Sequence, residues 1–367
     1  MGRRNSGKAR GFAWLYIRTV AASVAVMVVL GGAGRFAWGV FVQTPSVPLD
    51  RLVTDLREGG LLEGIVPAFD AGGGQDDDIF SGVSSPALLL AEHRRPTFFT
   101  FLIVGLTEGL NANTVMLAAY DGEARRGYIV SIPRDTEVDA RRNVRKLSSA
   151  YAAGRLNGGG HEGGIARLKY EVWTLTGVHA DFYVKIDYEA FSRVIDAVGG
   201  IEIDVPFHMR YDDPWQNLHI NIPAGLQLLD GENALHFARY RMGNDRRNTI
   251  SDYRRIEHQQ QVIAALFGEL MTPATILRVP EFISIVSNYT ATDLGYTDLM
   301  WFANRARRMM SGSFDDALEF HTIPMLGTSG APRWYELPDG NGIVELMNRT
   351  VNPLLRDLTL QDLRLAR

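Results

Sequence analysis

Apolar and polar positions change their period several times along the chain, and each change marks an element. From Phe12 to Phe41 apolar residues run almost unbroken, and Thr19–Gly34 carries no charge. With its flanks Phe12–Ile17 and Phe36–Phe41 this run exceeds the roughly 20 residues that span a bilayer. Arg18 and Arg35 lie towards its ends, from where their side chains can reach the headgroup layer. Arg3, Arg4, Lys8 and Arg10 precede it, which predicts a cytoplasmic N-terminus and a globular domain outside the membrane. A signal peptide cleaved near the small residues Gly31–Gly34 is the competing reading. The apolar length favours a single-pass anchor over residues 12–42, behind a basic tail over 1–11.

Residues 43–96 read as a juxtamembrane linker, with a short helical pattern at Leu52–Leu62 and the turn-rich AGGGQDDDIFSGVSSP. A body over 97–350 then alternates between two periods. Thr97–Val104, Thr114–Tyr120 and Gly127–Ile132 are β-rich runs, the last ended by Pro133, which has no ladder donor. Ile165, Leu168, Val172 and Leu175 recur at helical spacing within Gly163–Leu175. Phe182–Ile186 and Ile201–Val205 read as strands flanking a helix at Tyr188–Val198, which Gly199–Gly200 closes. Asp230 can cap a helix over Glu232–Arg239. Ile256, Ile263, Leu266 and Leu270 give a long helix over Asp252–Leu270 its apolar face. Further on, Met300–Met310 reads as a helix, Glu319–Leu326 as a strand, GAPRWYELPDGNG as a loop and Ile343–Asn348 as a helix. Trp334 and Tyr335 in that loop offer faces for sugar stacking or for packing. Residues 351–367 are left as a C-terminal tail. Interleaved strands and helices predict an α/β body, a layered α-β-α domain with a central mixed β-sheet behind one transmembrane helix.

Composition removes several alternatives. The chain has no cysteine, so disulfides and thiolate metal sites are excluded. A net charge of −4 argues against broad, non-specific nucleic-acid binding. The histidines are scattered without metal-ligand spacing, and no Ser-His-Asp arrangement can be assigned. No internal repeat is evident.

Against that acidic background, Arg239–Arg255 concentrates six arginines beside two aspartates. A guanidinium's planar fork of donors matches phosphate oxygens. Asp252, Arg255 and Gln259 follow i, i+3, i+7 spacing and share one helix face. A phosphate site and a solvated, salt-bridged helix face both fit this cluster alone. Upstream, GYIVSIPRDT puts Arg134 and Asp135 at the C-terminal mouth of a strand, where open α/β sheets place ligands. RKLSSAYAAG then adds Lys146 beside small residues.

These segments, in order, resemble the LytR–CpsA–Psr family. The likeness runs from about Thr97 to about Leu346 and includes FLIVGLTEG, SIPRDTEV, RKLSSAYAAG, LTGVHADFYVKIDYEAFSRVIDAVGGIEIDV, GLQLLDGENALHFARYR and SDYRRIEHQQQVI. The resemblance implies a membrane-anchored phosphotransferase. Such an enzyme moves a glycopolymer from a polyprenyl-pyrophosphate carrier to a peptidoglycan or other wall hydroxyl, usually with magnesium, and can have pyrophosphatase side activity. It places the family's basic site residues on Arg134, Lys146, Arg239, Arg241 and Arg255, and its acidic and amide positions on Asp252 and Gln259. It also implies that the lipid tail sits between the sheet and the helices. Asp252 is open to two roles, taking the acceptor's proton or orienting its neighbouring arginine.

The departures are local. Where the family reads like G-x-D-E-G-x-R-x-D-T, this chain has GLTEGLNANT. Thr107 and Asn113 stand at the two metal-binding aspartates and Asn111 at an arginine, while Glu108 is retained. His258 replaces a common arginine beside Gln259. Magnesium favours hard, charged oxygen ligands, so Thr107, Glu108 and Asn113 form a weakened metal set, with Asn111 and His258 as substrate-binding positions. Two other readings follow: a family member that binds lipid-linked glycopolymer without turnover, and a transcriptional regulator. The lack of a helix-turn-helix pattern and the exported body weigh against the second.

Overall fold

The computed structural model describes residues 44–47, 93–106, 110–216, 218–270, 278–309, 317–330 and 333–366, with Thr272 and Thr275. The basic tail, the apolar run at 12–42, most of the linker, Thr107 and Glu108 lie outside the described residues. Among the described residues no helix is long and apolar enough to cross a membrane.

The strands are β1 (Phe98–Leu106), β2 (Ala112–Asp121), β3 (Arg126–Ile132), β4 (Phe182–Ile186), β5 (Ile201–Val205), β6 (Met209–Asp213), β7 (Leu218–Ile222), β8 (Gly225–Leu229), β9 (Thr290–Thr292), β10 (Leu318–Thr322), β11 (Met325–Thr328) and β12 (Glu336–Pro338). The helices are α1 (Ala150–Gly154), α2 (Gly160–Thr176), α3 (Tyr188–Val198), α4 (Gly231–Arg239), α5 (Asp252–Leu270), α6 (Val279–Tyr289), α7 (Tyr296–Met309) and α8 (Gly340–Arg349).

Six strands form the main sheet in the order β10-β3-β2-β1-β4-β9. The pairs β1–β2, β2–β3 and β4–β9 are antiparallel, whereas β1–β4 and β3–β10 are parallel, so the sheet is mixed. Its central strands are apolar on both sides because both sides are covered. Leu102, Val104, Leu117 and Val130 pack with Leu168, Val172 and Leu175 of α2 on one face. On the other, Phe99 and Phe182 meet Trp301 and Phe302 of α7, while Met116 and Ile129 meet Ile263 and Phe267 of α5. The result is the expected α-β-α layering.

A second cluster builds out from the sheet. The hairpin β6–β7 and the pair β5–β8 bury Ile201, Ile203, Ile220 and Leu229 against Phe237 of α4 and Val262 of α5. Asp187 and Asp230 cap α3 and α4 by accepting from the backbone N–H groups of Ala190 and Asn233. Gly199, at φ +94°, ends α3 in the left-handed region, which favours glycine. Gly231 lets α4 touch α3, since a Cβ there would lie 2.2 Å from the carbonyl oxygen of Ser192.

Several boundaries differ from the sequence reading. Residues 351–367 are not a free tail over their described part: Leu358 and Leu363 are buried in the main core, and Arg364 N–H donates to Thr174 O. The body also begins before residue 97, because Arg94 and Arg95 pair with Asp181 and Asp121. The segment read as a loop around Trp334 contains β12, whose Glu336 bridges to Thr136 beside β3. Hairpin β6–β7 and helix α6 were not anticipated, and the expected strand 319–326 divides into β10 and the start of β11.

Candidate active site

Three elements deliver cations to one place. Pro133 ends β3, and a turn held by Thr136 N–H and Oγ1 donating to Pro133 O places Arg134 at the strand mouth. Arg239 closes α4, where a cation suits the negative end of the helix dipole. Its guanidinium lies over the ring of Tyr188, 4.3 Å from the centroid. Arg255 occupies the first turn of α5, one turn beyond Asp252. These arginines and Arg241 line one cavity of about 440 Å³, together with Asn113 and Gln259. Its remaining wall is largely apolar and includes Ile103, Met116, Phe191, Ile220, Ile263 and Leu266.

Arg255 is nearly enclosed, its side chain 6% exposed, with Nη2 2.6 Å from the Asp252 carboxylate. Burial is the main reason its pKa is pushed down to about 10; Asp252 opposes the fall, while Arg134 and Arg241 add to it. The guanidinium stays charged at neutral pH, but at a cost that another anion would relieve. Nε of Arg134 and Nε of Arg255 are buried without hydrogen-bond partners among the described residues. Asp252 also lies 3.8 Å from Arg134 Nε, so it serves both arginines at once. Four guanidiniums against two carboxylates, Asp252 and the α3 cap Asp187, leave a net positive mouth on an apolar chamber.

A second cleft, of about 390 Å³, adjoins the first. Arg134 and Asn113 line both cavities, and Arg134 Nη1 donates to Asn113 Oδ1 at 3.2 Å. Asn113 is the extra residue of a β-bulge, since Gly105 pairs with Thr114 and Leu106 with Ala112, a device that re-aims side chains. Asn111, Asp135, Val144, Lys146, Ser148 and Ser149 complete the second cleft. Lys146 Nζ is 3.1 Å from Asp135, so that pair is neutral overall.

The expected substrate residues therefore divide. Arg134, Arg239, Arg241, Arg255 and Gln259 come together at the first cavity, with Asp252 paired behind them. Asn111 and Lys146 belong to the second cleft. His258 is a correction: it lies in the core, 4% exposed, its ring stacked on Phe237 at 4.4 Å, and lines neither cavity. Burial lowers its pKa. An arginine's role does not pass to it, because one helical step turns it about 100° away from Gln259.

Of the three expected metal residues only Asn113 lies among the described residues. Asn113 already accepts from Arg134, and Asp252 and Asp135 are each paired with a cation of the chain. No cluster of three or more His, Cys, Asp or Glu able to hold a metal occurs among the described residues.

Some neighbours of the site had little or no local sequence signal. Arg142 grips Glu171 of α2 and donates to the carbonyls of Val144 and Lys146 and to Ser149 Oγ, fixing the loop that carries Lys146. Tyr253 OH donates to Glu336 Oε2 at 3.3 Å, and burial, then Glu336, pushes its pKa up to about 12. Burial also raises the Glu336 pKa, with Asp252 and Asp135 adding to the shift and the Tyr253 hydrogen bond opposing it.

Residues 92–350 match the model of the LytR_cpsA_psr family. Among curated relatives, the polyisoprenyl-teichoic acid–peptidoglycan teichoic acid transferase TagV of Bacillus subtilis is 27% identical over 211 residues, covering 54% of this chain and 51% of TagV. The cell wall biosynthesis protein LcpA of Corynebacterium glutamicum is 26% identical over 336 residues, covering 85% of this chain and 60% of LcpA. The chain thus spans about half to three fifths of the curated relatives it matches. The crystal structure of B. subtilis TagV superposes with a TM-score of 0.55 at 22% identity, over 69% of this chain and 95% of that one, a likeness of fold.

Proposed function

The chain belongs to the LytR–CpsA–Psr family, and we propose that it is an envelope phosphotransferase with a polyprenyl-pyrophosphate-linked glycopolymer as donor and a cell-wall hydroxyl as acceptor. Pyrophosphate hydrolysis would be its side reaction. One observation carries this reading: an apolar chamber opens at Arg134, Arg239, Arg241 and Arg255. A polyprenyl tail matches the chamber and a pyrophosphate matches its mouth, where unpartnered guanidinium N–H groups await oxygens.

In this mechanism the acceptor oxygen attacks the sugar-linked phosphorus. The bond to the bridging oxygen breaks, and polyprenyl phosphate is the leaving group. The four guanidiniums neutralise the charge that gathers on the phosphoryl oxygens, and positioning with charge stabilisation supplies most of the rate. Asp252 holds Arg255 and Arg134 in place, and the Gln259 amide completes the rim. No covalent intermediate is needed. The apolar run at 12–42 would anchor the chain with its body outside the cell membrane, next to a lipid-borne donor.

The test is release of polyprenyl monophosphate by the purified full-length chain from a polyprenyl-pyrophosphate-linked sugar, with and without added magnesium. Arg239→Ala should reduce release at least hundredfold. Release unaffected by Arg239→Ala overturns the reading. A second reading, binding without turnover, draws on the amide at Asn113, where the family resemblance leads one to expect an aspartate, and on the hydrogen bond it accepts from Arg134. Tight donor binding with no release under either condition would favour it.

A further inference from the structure

The hairpin β6–β7 has two unlike faces. Met209, Leu218, Ile220 and Ile222 are buried, and Leu218 and Ile220 join Tyr211 in the wall of the apolar chamber. Arg210, Asp212, His219 and Asn221 alternate with them on the solvent side. At the tip Trp215 is 98% exposed. The turn that presents it is specified: Pro214 fixes its own φ, Trp215 N–H donates to Asp213 Oδ1 at 3.1 Å, and Tyr211 OH donates to Asp213 Oδ2 at 3.4 Å.

The loop 241–250 is fastened to this hairpin by one amide. Asp212 N–H donates to Asn244 Oδ1 at 2.6 Å, and Asn244 Nδ2 donates to Asp212 O at 2.8 Å. Gly243 packs on the same strand, since a Cβ there would lie 3.2 Å from Arg210 O. Met242 in this loop lines the chamber and is 39% exposed, so the chamber's apolar wall reaches the surface here. The acids of this surface are all engaged. Asp212 lies 2.8 Å from His219 Nδ1, Asp213 holds the turn, and Asp245 accepts Arg247 N–H and lies 3.6 Å from its Nε. Arg210 and Arg246 are exposed and have no ion pair among the described residues.

A bare indole beside unpaired guanidiniums has the chemistry of a bilayer interface. There a tryptophan ring sits at headgroup depth and arginine meets lipid phosphate. The course of the chain agrees. Val47, five residues past the end of the apolar run at 42, packs against the cluster of Trp301 and Phe302 in α7. Five residues span at most about 18 Å, so an anchor at 12–42 would hold this side of the body close to the bilayer. Helix α5, whose Val262 is buried with Ile220 of the hairpin, lies on that same face of the main sheet.

We propose that the tip of β6–β7 and the loop 241–250 dock on the outer surface of the bilayer, with Trp215 in the headgroup layer and Arg210 and Arg246 on anionic lipid phosphates. The inference rests on the reading of an anchored body that takes a lipid-borne donor. Docking there would bring the Met242 side of the chamber to the lipid from which the polyprenyl tail is drawn.

The experiment uses the full-length chain in nanodiscs of phosphatidylglycerol and phosphatidylcholine in equal parts. The chain has no cysteine, so Pro214→Cys and Leu360→Cys each take one polarity-sensitive dye. Leu360 is exposed beside Leu358 and Leu363, on the α2 side of the sheet, and serves as the control. A nitroxide carried on the lipid should quench the dye at 214 at least threefold and leave the dye at 360 nearly unchanged. Omitting phosphatidylglycerol, or adding Arg210→Gln/Arg246→Gln, should each cut that quenching about twofold, because the attraction is to anionic headgroups. Trp215→Ser should raise the KM for a nanodisc-borne polyprenyl-pyrophosphate-linked sugar at least fivefold. Its affinity for farnesyl pyrophosphate in detergent should stay within twofold, which also shows that it folds. No quenching at 214, or equal quenching at 214 and 360, overturns the docking face, and so does an unchanged KM in Trp215→Ser. Quenching indifferent to both lipid charge and the double variant overturns the role of the arginines. Shielding of the dye at 214 from iodide in detergent, growing with protein concentration, would give the surface to a second copy of the chain instead. Quenching at 214 without any turnover sinks the donor assignment and leaves the docking standing.

Discussion

Asp252→Asn separates stability from anion affinity at the arginine mouth, because the two should move in opposite directions. The Asp252 carboxylate lies 2.6 Å from Arg255 and 3.8 Å from Arg134, with 17% of its side chain exposed. Removing one partner of a fully buried pair costs about 3–5 kcal/mol; at the edge of a cavity we expect about 2 kcal/mol. For a body of this size that corresponds to a Tm lower by roughly 5 °C. The same change deletes a repulsion felt by an incoming pyrophosphate. At about 6 Å and an effective dielectric near 20, that repulsion is roughly 3 kcal/mol per unit of ligand charge. Solvent at the mouth and relaxation of the arginines would reduce the net gain to about 1.4 kcal/mol, or tenfold in Kd. Differential scanning fluorimetry and calorimetry with farnesyl pyrophosphate on the same preparations give both numbers. An unchanged Tm with weaker binding would refute the reasoning, since it would make Asp252 part of the ligand's own contact set.

Two further outcomes follow from the geometry. His258 and His236 both have pKa values lowered by burial, so the unfolded chain takes up protons that the folded state resists. Their contribution is intact above about pH 6.5 and is lost as pH falls through the lowered folded values. Thermal melts at pH 7.5 and 5 should therefore differ less in His258→Phe than in the unaltered chain, with farnesyl pyrophosphate binding preserved; a folded His258→Phe that no longer binds it would return His258 to the site. Leu266→Trp, which puts a larger side chain into the apolar wall, should weaken geranylgeranyl pyrophosphate at least tenfold and leave inorganic pyrophosphate within twofold. Equal losses for both ligands would show that the chamber does not hold the tail.

The arginine-rich cavity and the cleft beside it share Arg134 and Asn113 in their walls. Arg134 donates to Asn113, approaches Asp252 and accepts Ser148 N–H through its own carbonyl. The arginine turn after β3 thus contacts both the bulged start of β2 and the loop that carries Lys146. Changes at Arg142 or Glu171, which touch neither cavity, would act on this site by releasing that loop.

Much of this protein is legible in its own sequence wherever the information is local. Strands 182–186 and 201–205 and helices 188–198 and 252–270 have the bounds that periodicity and caps predict. A period of 2 or 3.6 and a capping side chain act over a few residues. The arginines, too, announce an anion by type and spacing. What the tertiary structure alone decided is non-local. Arg142 finds Glu171 on another element, β12 brings Glu336 beside Asp135, and Leu358 and Leu363 return to the core from a segment with no strong pattern. Neighbours in the chain part company for the same reason: Gln259 faces the cavity while His258 turns into the core against Phe237. Spacing says which residues share a face, but burial against distant elements selects the face that meets a cavity, and that selection divided one list of polar residues between the arginine-rich cavity, the cleft beside it and the core.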